Sequence, residues 1–243
     1  MGIQLLQGDC LELMKDIPDG SVDMVLCDLP YGTTRNRWDS VIPLEKLLKG
    51  YLRILKSNGV ICLHTDQPFT ADVVKTFRSV WRYELVWVKE QGSDFLNANR
   101  KPMKAHETIQ ICYRLQPTFN KQKTNGSPYK AHSGEHKSEN WGKFKTGFNT
   151  DCVDGKRNPT TVLKFKREKG IHPTQKPVPL LEYLIKTYTN EGETVLDNCM
   201  GSGSTGVACV NTDRNFIGME LDHGYFETAQ RRIQEAQNGP PVG

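Results

Sequence analysis

The sequence predicts an α/β domain, a mostly parallel β-sheet covered by helices on both faces. Three observations predict it. Short apolar runs recur along the chain, as strands buried on both faces of a parallel sheet require. Stretches of helical spacing stand between them. Two of the runs end on an acid that opens into a turn bearing proline or glycine. In such sheets ligands bind beyond the carboxyl ends of the strands.

The elements follow in order. Ser21-Val-Asp-Met-Val-Leu-Cys-Asp28 reads as a buried strand ending in an acid. From 43 to 55, apolar residues fall at 44, 47, 48, 51, 52 and 55, and Asn58-Gly59 follows as a stop. That spacing predicts a helix. Residues 60–64 form another apolar run, 70–81 a helix, and 85–88 and 109–113 two more strands. From 116 to 168 Lys, Asn, Gly, Ser and His dominate and periodicity is weak, which predicts loops and short strands. Order returns with helices over 179–188, 204–211 and 225–237 and strands over 194–196 and 216–221. The expected division is 1–115 and 169–237 for the α/β body, with 116–168 inserted between them.

Composition narrows the class. A chain of 243 residues is long enough for a buried core, and 37% hydrophobic with 25% charged residues fits a globular protein. No apolar stretch reaches about 18 residues, and the N-terminus lacks a basic-then-apolar pattern. A cytoplasmic protein with no membrane partner is expected. The cysteines, Cys10, Cys27, Cys62, Cys112, Cys152, Cys199 and Cys209, form no Cys-x-x-Cys pair. They read as small core residues under reducing conditions, not as a disulfide framework. His132 and His136 have zinc-like spacing without a cysteine pair, so no metal is expected. Charge is uneven. Residues 89–169 carry 17 basic and 8 acidic side chains, net +9, and the rest carries 15 against 20, net −5. A basic middle on an acidic body fits a segment that faces a polyanion, or a plain lysine-rich surface.

The strand ends carry the chemistry. After 194–196 comes Asp197-Asn-Cys-Met-Gly201-Ser-Gly203-Ser-Thr-Gly206, then a helix. Glycines there permit a tight turn and close backbone approach, and the helix start supplies free N–H groups. Glu220 stands at the end of the next strand, where an acid can accept from both ribose hydroxyls of an adenosine. Gly201, Gly203 and Gly206 also satisfy the dinucleotide pattern, which a nicotinamide enzyme would share. Asp197 would repel a pyrophosphate and suit a cationic ligand.

Asp28-Leu29-Pro30-Tyr31-Gly32 ends the earlier strand. The exocyclic nitrogen of adenine or cytosine is a poor nucleophile because its lone pair is delocalised into the ring. A carboxylate and a carbonyl aimed at its hydrogens return electron density and stabilise the charge that grows on nitrogen. Asp28, the Leu29 carbonyl and Tyr31 supply those groups and a ring on which a base can stack. An ordinary strand-to-turn sequence would also look like this.

Together these motifs resemble the beta class of DNA amino-methyltransferases, over about residues 3–235. Asp28-Leu-Pro-Tyr31 is similar to the family's Asp/Asn/Ser-Pro-Pro-Tyr catalytic motif, which implicates Asp28, Leu29, Pro30 and Tyr31. Asp197 to Gly203 is similar to its Asp-Pro-Phe-x-Gly-x-Gly cofactor motif. His172-Pro-Thr-Gln-Lys-Pro177 is similar to the His-Pro-x-x-Lys-Pro segment beside the methionine part of the cofactor. Gly8-Asp9-Cys10 looks like the segment that contacts the cofactor's adenine, and Trp87-Val-Lys89 and His106-Glu107 stand where the family has similar residues. The resemblance implies a Rossmann-like S-adenosylmethionine-dependent methyltransferase fold with permuted motif order. It implies a catalytic part over 1–115, a target-recognition insertion over 116–168 and a cofactor part over 169–237.

S-adenosylmethionine is then the cofactor, bound by Asp9, Cys10, His172, Thr174, Lys176, Asp197, Gly201, Gly203, Thr205 and Glu220. The partner is double-stranded DNA, contacted by Arg35, Arg37, Trp38, Lys143, Lys145 and Arg157, and a homodimer is expected. No metal and no covalent enzyme–base intermediate are implied. Asp at position 28 favours N6 of adenine over N4 of cytosine. Leu29, Asn198 and Cys199 depart from the family pattern, which removes a proline from one loop and a Pro-Phe pair from the other. The same motifs would also fit an RNA or protein-glutamine methyltransferase, or a catalytically dead DNA-binding protein.

Overall fold

The computed structural model describes residues 2–32, 40–93, 95–130, 134–138, 140, 142–146, 152–168 and 175–239. The chain forms two compact units, Met1–Asn120 with Thr161–Gly243, and Lys121–Thr160. The first unit begins with β1 (Ile3–Gln7), α1 (Cys10–Leu13), β2 (Val22–Asp28), α2 (Leu44–Ile54), β3 (Leu55–Thr65), α3 (Phe69–Thr76), β4 (Trp81–Ser93) and β5 (Lys104–Tyr113). The second holds β6 (Thr124–Asn125), β7 (Gly134–Ser138), β8 (Gly142–Thr146) and β9 (Lys156–Arg157). The first resumes with β10 (Val162–Lys164), α4 (Val178–Tyr188), β11 (Thr194–Asp197), α5 (Ser204–Asn211), β12 (Asn215–Glu220) and α6 (His223–Asn238).

Eight strands form one sheet in the order β1-β12-β11-β2-β3-β5-β4-β10. Within it only β5 runs against its neighbours, so the sheet is mostly parallel as expected. Successive side chains alternate between its faces. Met24, Leu26, Val60 and Cys62 pack in one core cluster with Leu180, Leu184, Ala208 and Ile233 from α4, α5 and α6. Val25, Cys27, Ile61 and Leu63 pack in the other with Cys10, Leu47, Tyr51 and Val73 from α1, α2 and α3. The sheet is therefore covered on both faces. The apolar stripe of α2 buries Leu47, Tyr51 and Ile54. Each such side chain contributes roughly 1.5–3 kcal/mol by leaving water.

Several elements differ from the sequence expectation. The pattern gives no sign of β1, because Ile3–Gln7 is a half-buried strand at the sheet border with no continuous apolar run. β3 starts at Leu55 rather than at 60, so Asn58-Gly59 lies inside a strand and stops nothing. A Cβ at Gly59 would crowd its surroundings, sitting 2.8 Å from Leu55 Cδ2 and 3.1 Å from two backbone oxygens. α3 ends at Thr76, and Trp81 already pairs with Cys112 in the sheet. The irregular composition covers 116–168, whereas the second compact unit spans Lys121–Thr160. Val162–Lys164 pairs with Val86–Val88 at the edge of the main sheet.

In the second unit β6 pairs with β9 and β7 with β8, all antiparallel. Tyr129 bridges Cys152, and the Arg157 guanidinium lies 4.3 Å over the Tyr129 ring.

Candidate active site

Parallel strands place their ends at one edge, and this sheet brings the singled-out acids together there. β2 and β11 are neighbours, with Val25 opposite Leu196, so Asp28 and Asp197 leave the sheet side by side. β12 lies on the other side of β11 and delivers Glu220. β1 pairs with β12, and its next residues are Gly8 and Asp9. Because β5 runs in the opposite direction, its beginning reaches the same edge and contributes Glu107. A cavity of about 1330 Å³ opens along this edge.

Alternation along the strands puts Asp28, His64, Glu107, Trp87 and Lys89 on one sheet face. Asp28 Oδ1 accepts the Tyr31 hydroxyl at 2.6 Å, and Oδ2 accepts the Lys176 ammonium at 2.6 Å. Lys176 Nζ is also 3.4 Å from Glu107 Oε2, and Lys89 Nζ is 2.5 Å from Glu107 Oε1. Two carboxylates and two ammonium groups thus alternate in a row, with both lysine side chains 8% exposed. Burial pushes the Glu107 carboxyl up, but Lys176 and Lys89 outweigh it and hold the group down at about 2. Burial lowers the Lys176 ammonium, but Asp28 and Glu107 more than reverse that. His64, opposite Asp28 in the register, is pushed down to about 4 by burial and by Lys176. Both His64 ring nitrogens are buried without a hydrogen-bond partner among the described residues. The Tyr31 ring stacks on Phe69 with centroids 5.1 Å apart, and burial followed by the Asp28 charge raises its hydroxyl.

The second carboxylate is built differently. Asp197 is 3% exposed, and its oxygens accept the Thr205 hydroxyl at 2.6 Å and the Cys199 N–H at 3.1 Å. Among the described residues no lysine or arginine pairs with it. Burial pushes its carboxyl up to about 6. The loop after β11 is fixed by the next strand's acid, since Gly201 N–H donates to Glu220 Oε2 at 2.9 Å and Asp222 N–H donates to Oε1 at 2.9 Å. Gly203 has φ 79° and caps α5, and a Cβ there would lie 2.8 Å from Ala229 Cβ. Only glycine fits both demands.

Asp28, Leu29, Pro30 and Tyr31 all line the cavity, as do Asp9, Cys10, Lys176, Asp197, Gly201, Thr205 and Glu220. Asp9 also caps α1 by accepting the Leu11 N–H at 2.8 Å. Gly203 does not line the cavity and serves the turn beneath it. Lys176, expected beside the cofactor, has its ammonium on Asp28. His172, Thr174, Arg35, Arg37, Trp38 and His132, and the side chains of His136, Lys143 and Lys145, lie outside the described residues. Arg157 is engaged by Tyr129 within the second unit.

Two contributions are not legible in the sequence. Glu107 stands in a motif without a role, and nothing in its neighbours tells that Lys176, 69 positions later, reaches it. Tyr51 is fully buried in α2 and donates to Asn198 Oδ1 at 2.6 Å. That bond anchors the loop where the family pattern has Pro-Phe. A tyrosine on the apolar stripe of a helix is the available signal, because a buried hydroxyl requires a partner.

Comparison with known proteins identifies the family and the fold. A model of the N6/N4 DNA methylase family matches residues 22–231. The type II methyltransferase M.BglII of Bacillus subtilis is 31% identical over 93% of this chain and 67% of its own length. The type II methyltransferase M.HinfI of Haemophilus influenzae is 27% identical over 97% of this chain and 69% of its own. The crystal structure of the M1.HpyAVI–SAM complex superposes with a TM-score of 0.67 at 27% identity, covering 95% of this chain and 99% of that one. PvuII DNA methyltransferase, cytosine-N4-specific, reaches a TM-score of 0.69 over 100% of this chain and 89% of that one. At 15% identity that likeness concerns the fold alone.

Proposed function

The chain belongs to the DNA methylase family, and from that membership we propose that it methylates the N6 amino group of an adenine flipped out of duplex DNA. S-adenosylmethionine is the donor and supplies an electrophilic methyl carbon on a sulfonium. The observation that carries the reading is the shared edge. Asp28 with Tyr31 and the Leu29 backbone, and Asp197 with Glu220, line one cavity.

The lining suits a cationic adenosine ligand. Asp197 is a buried carboxylate without a cation among its described partners, so a ligand's positive end completes it, with Thr205 keeping the carboxylate in place. Glu220 faces the cavity and holds ribose hydroxyls, and Asp9 and Cys10 border the adenine. His172 and Thr174 join the methionine end in this reading. Lining by acids is wrong for a pyrophosphate, which argues against a nicotinamide cofactor.

In the same cavity Asp28 and the Leu29 carbonyl accept the two hydrogens of the base's amino group. They raise electron density on nitrogen and stabilise its developing charge. Tyr31, backed by Phe69, gives the extruded base a stacking surface worth roughly 1–3 kcal/mol. That offsets much of the few kcal/mol that unpairing costs. Exchanging N–H for N–CH₃ releases one proton, and Asp28 is the base within reach of it. Holding both reactants in one cavity supplies the proximity contribution. The Asp at the head of the catalytic motif is the support for adenine over cytosine. Lysines and arginines of the 121–160 unit take DNA phosphates, so binding weakens steeply with salt.

The test is to incubate the protein with S-adenosylmethionine and unmethylated duplex DNA, digest to nucleosides and identify the product by mass spectrometry. N6-methyladenine is expected. N4-methylcytosine would overturn the base assignment and keep the rest.

A further inference from the structure

We propose that Lys176 is a movable counter-ion shared between Asp28 and Glu107, and that Glu107 is the positioning residue that draws it off Asp28 when the substrate amino group arrives. The inference rests on the methyl-transfer reading above. The two Asp28 oxygens hold the Tyr31 hydroxyl and the Lys176 ammonium, each at 2.6 Å. An ammonium on that carboxylate withdraws the electron density that the amino group needs. It also repels the positive charge that grows on the attacking nitrogen. Asp28 therefore works only after Lys176 has moved.

The side chain is only 8% exposed, so leaving Asp28 without a second anionic partner nearby would be costly. Glu107 Oε2 is that partner. It lies 3.4 Å from Lys176 Nζ and is buried without a hydrogen-bond partner among the described residues. The oxygen is thus already ion-paired with the ammonium and has acceptor capacity left for a closer approach. Lys89 holds the other oxygen, Oε1, at 2.5 Å, which keeps Glu107 from turning away. A flexible lysine with three donors can pass between two acceptors without losing its charge balance, as a planar guanidinium cannot. The total charge of the row stays constant during the move, so no buried charge is created.

The experiment compares wild type, Glu107→Gln and Glu107→Asp for methyl transfer to duplex DNA, with cofactor affinity read by titrating S-adenosylhomocysteine. Gln keeps the shape of Glu and removes its charge, and Asp keeps the charge on a shorter stem. In Glu107→Gln, kcat falls at least about tenfold while KM for DNA and cofactor Kd stay within about twofold. Glu107→Asp falls between wild type and Glu107→Gln. A Glu107→Gln enzyme with wild-type kcat overturns the proposal. So does a Glu107→Asp enzyme slower than Glu107→Gln, which would mark a packing role, or a cofactor Kd that worsens in step with kcat. Melting temperature accompanies each variant. If Glu107→Gln does not fold, Glu107→Asp decides alone, and a wild-type kcat for it overturns the proposal. Wild type that methylates no DNA defeats the functional reading itself, an outcome distinct from equal rates in wild type and variant.

Discussion

Asp28 and Asp197 end adjacent parallel strands, face the same cavity and live in opposite electrostatic surroundings. Asp28 has an ammonium at 2.6 Å and a chain of alternating charges behind it. Asp197 has a hydroxyl and a backbone N–H and a carboxyl raised to about 6 by burial. One carboxylate carries its own counter-ion, and the other has none among the described residues. The difference suits the two tasks assigned to these groups in the proposed function. A group proposed to act on a neutral amine has a cation beside it to balance its charge, whereas a group proposed to bind a cation gains selectivity by being costly to ionise without it.

The largest effect is expected at Asp28. Asp28→Ala is expected to lower kcat by a factor of about 10³ or more, since it removes the acceptor that acts on the reacting nitrogen. Cofactor binding, measured by titration, should remain close to wild type. Comparable turnover by the variant would remove Asp28 from the chemistry.

Asp197→Asn tests the other half. Cofactor Kd should weaken about 10- to 100-fold, the loss of a charge-assisted contact, while the ligand-free protein melts no earlier than wild type. A large fall in melting temperature with unchanged Kd would make Asp197 a fold residue.

A milder lever is pH. The folded Asp197 carboxyl titrates near 6, above its ordinary value. Below that point the native protein binds a proton that the unfolded chain releases, so this group's contribution to ligand-free stability rises as pH falls from 6 toward 4. Cofactor affinity moves the other way, because the protonated group no longer attracts a cation. Affinity is expected to drop toward tenfold per unit below pH 6, while Asp197→Asn shows no such slope. A flat wild-type profile would separate Asp197 from the ligand's charge.

Tyr51→Phe is the smallest change. It removes the hydroxyl that anchors Asn198 and is expected to cost about 1 kcal/mol of stability with a few-fold weaker cofactor binding. Thermal denaturation and the same titration measure both. An unchanged melting temperature would show that the loop is held by its other contacts, such as Glu220 on Gly201.

Legibility follows burial and locality. Val22–Asp28 and Asn215–Glu220 are readable because a strand covered on both faces must be apolar throughout. Ile3–Gln7 and Val162–Lys164 are not, because border strands are only partly covered and owe their conformation to a neighbour. The early part of β5 escapes sequence reading for the same reason. Lys104 to Glu107 carries no apolar run and is extended by its pairing with β4, and Glu107 lines the cavity. Asp28-Leu-Pro-Tyr31 and the Asp197–Gly203 turn are readable because their chemistry sits in consecutive residues.

The sequence by itself determined the α/β class, the two acid-bearing turns and the chemistry each can host, since all depend on residue type and on contacts within a few positions. Only the tertiary structure decided that Lys176 meets Asp28, that Glu107 stands behind it and that Tyr51 secures Asn198. Those contacts join residues 148, 69 and 147 positions apart. Strand order sets such distances, and strand order is chosen by the packing of the whole sheet rather than by any segment of the chain.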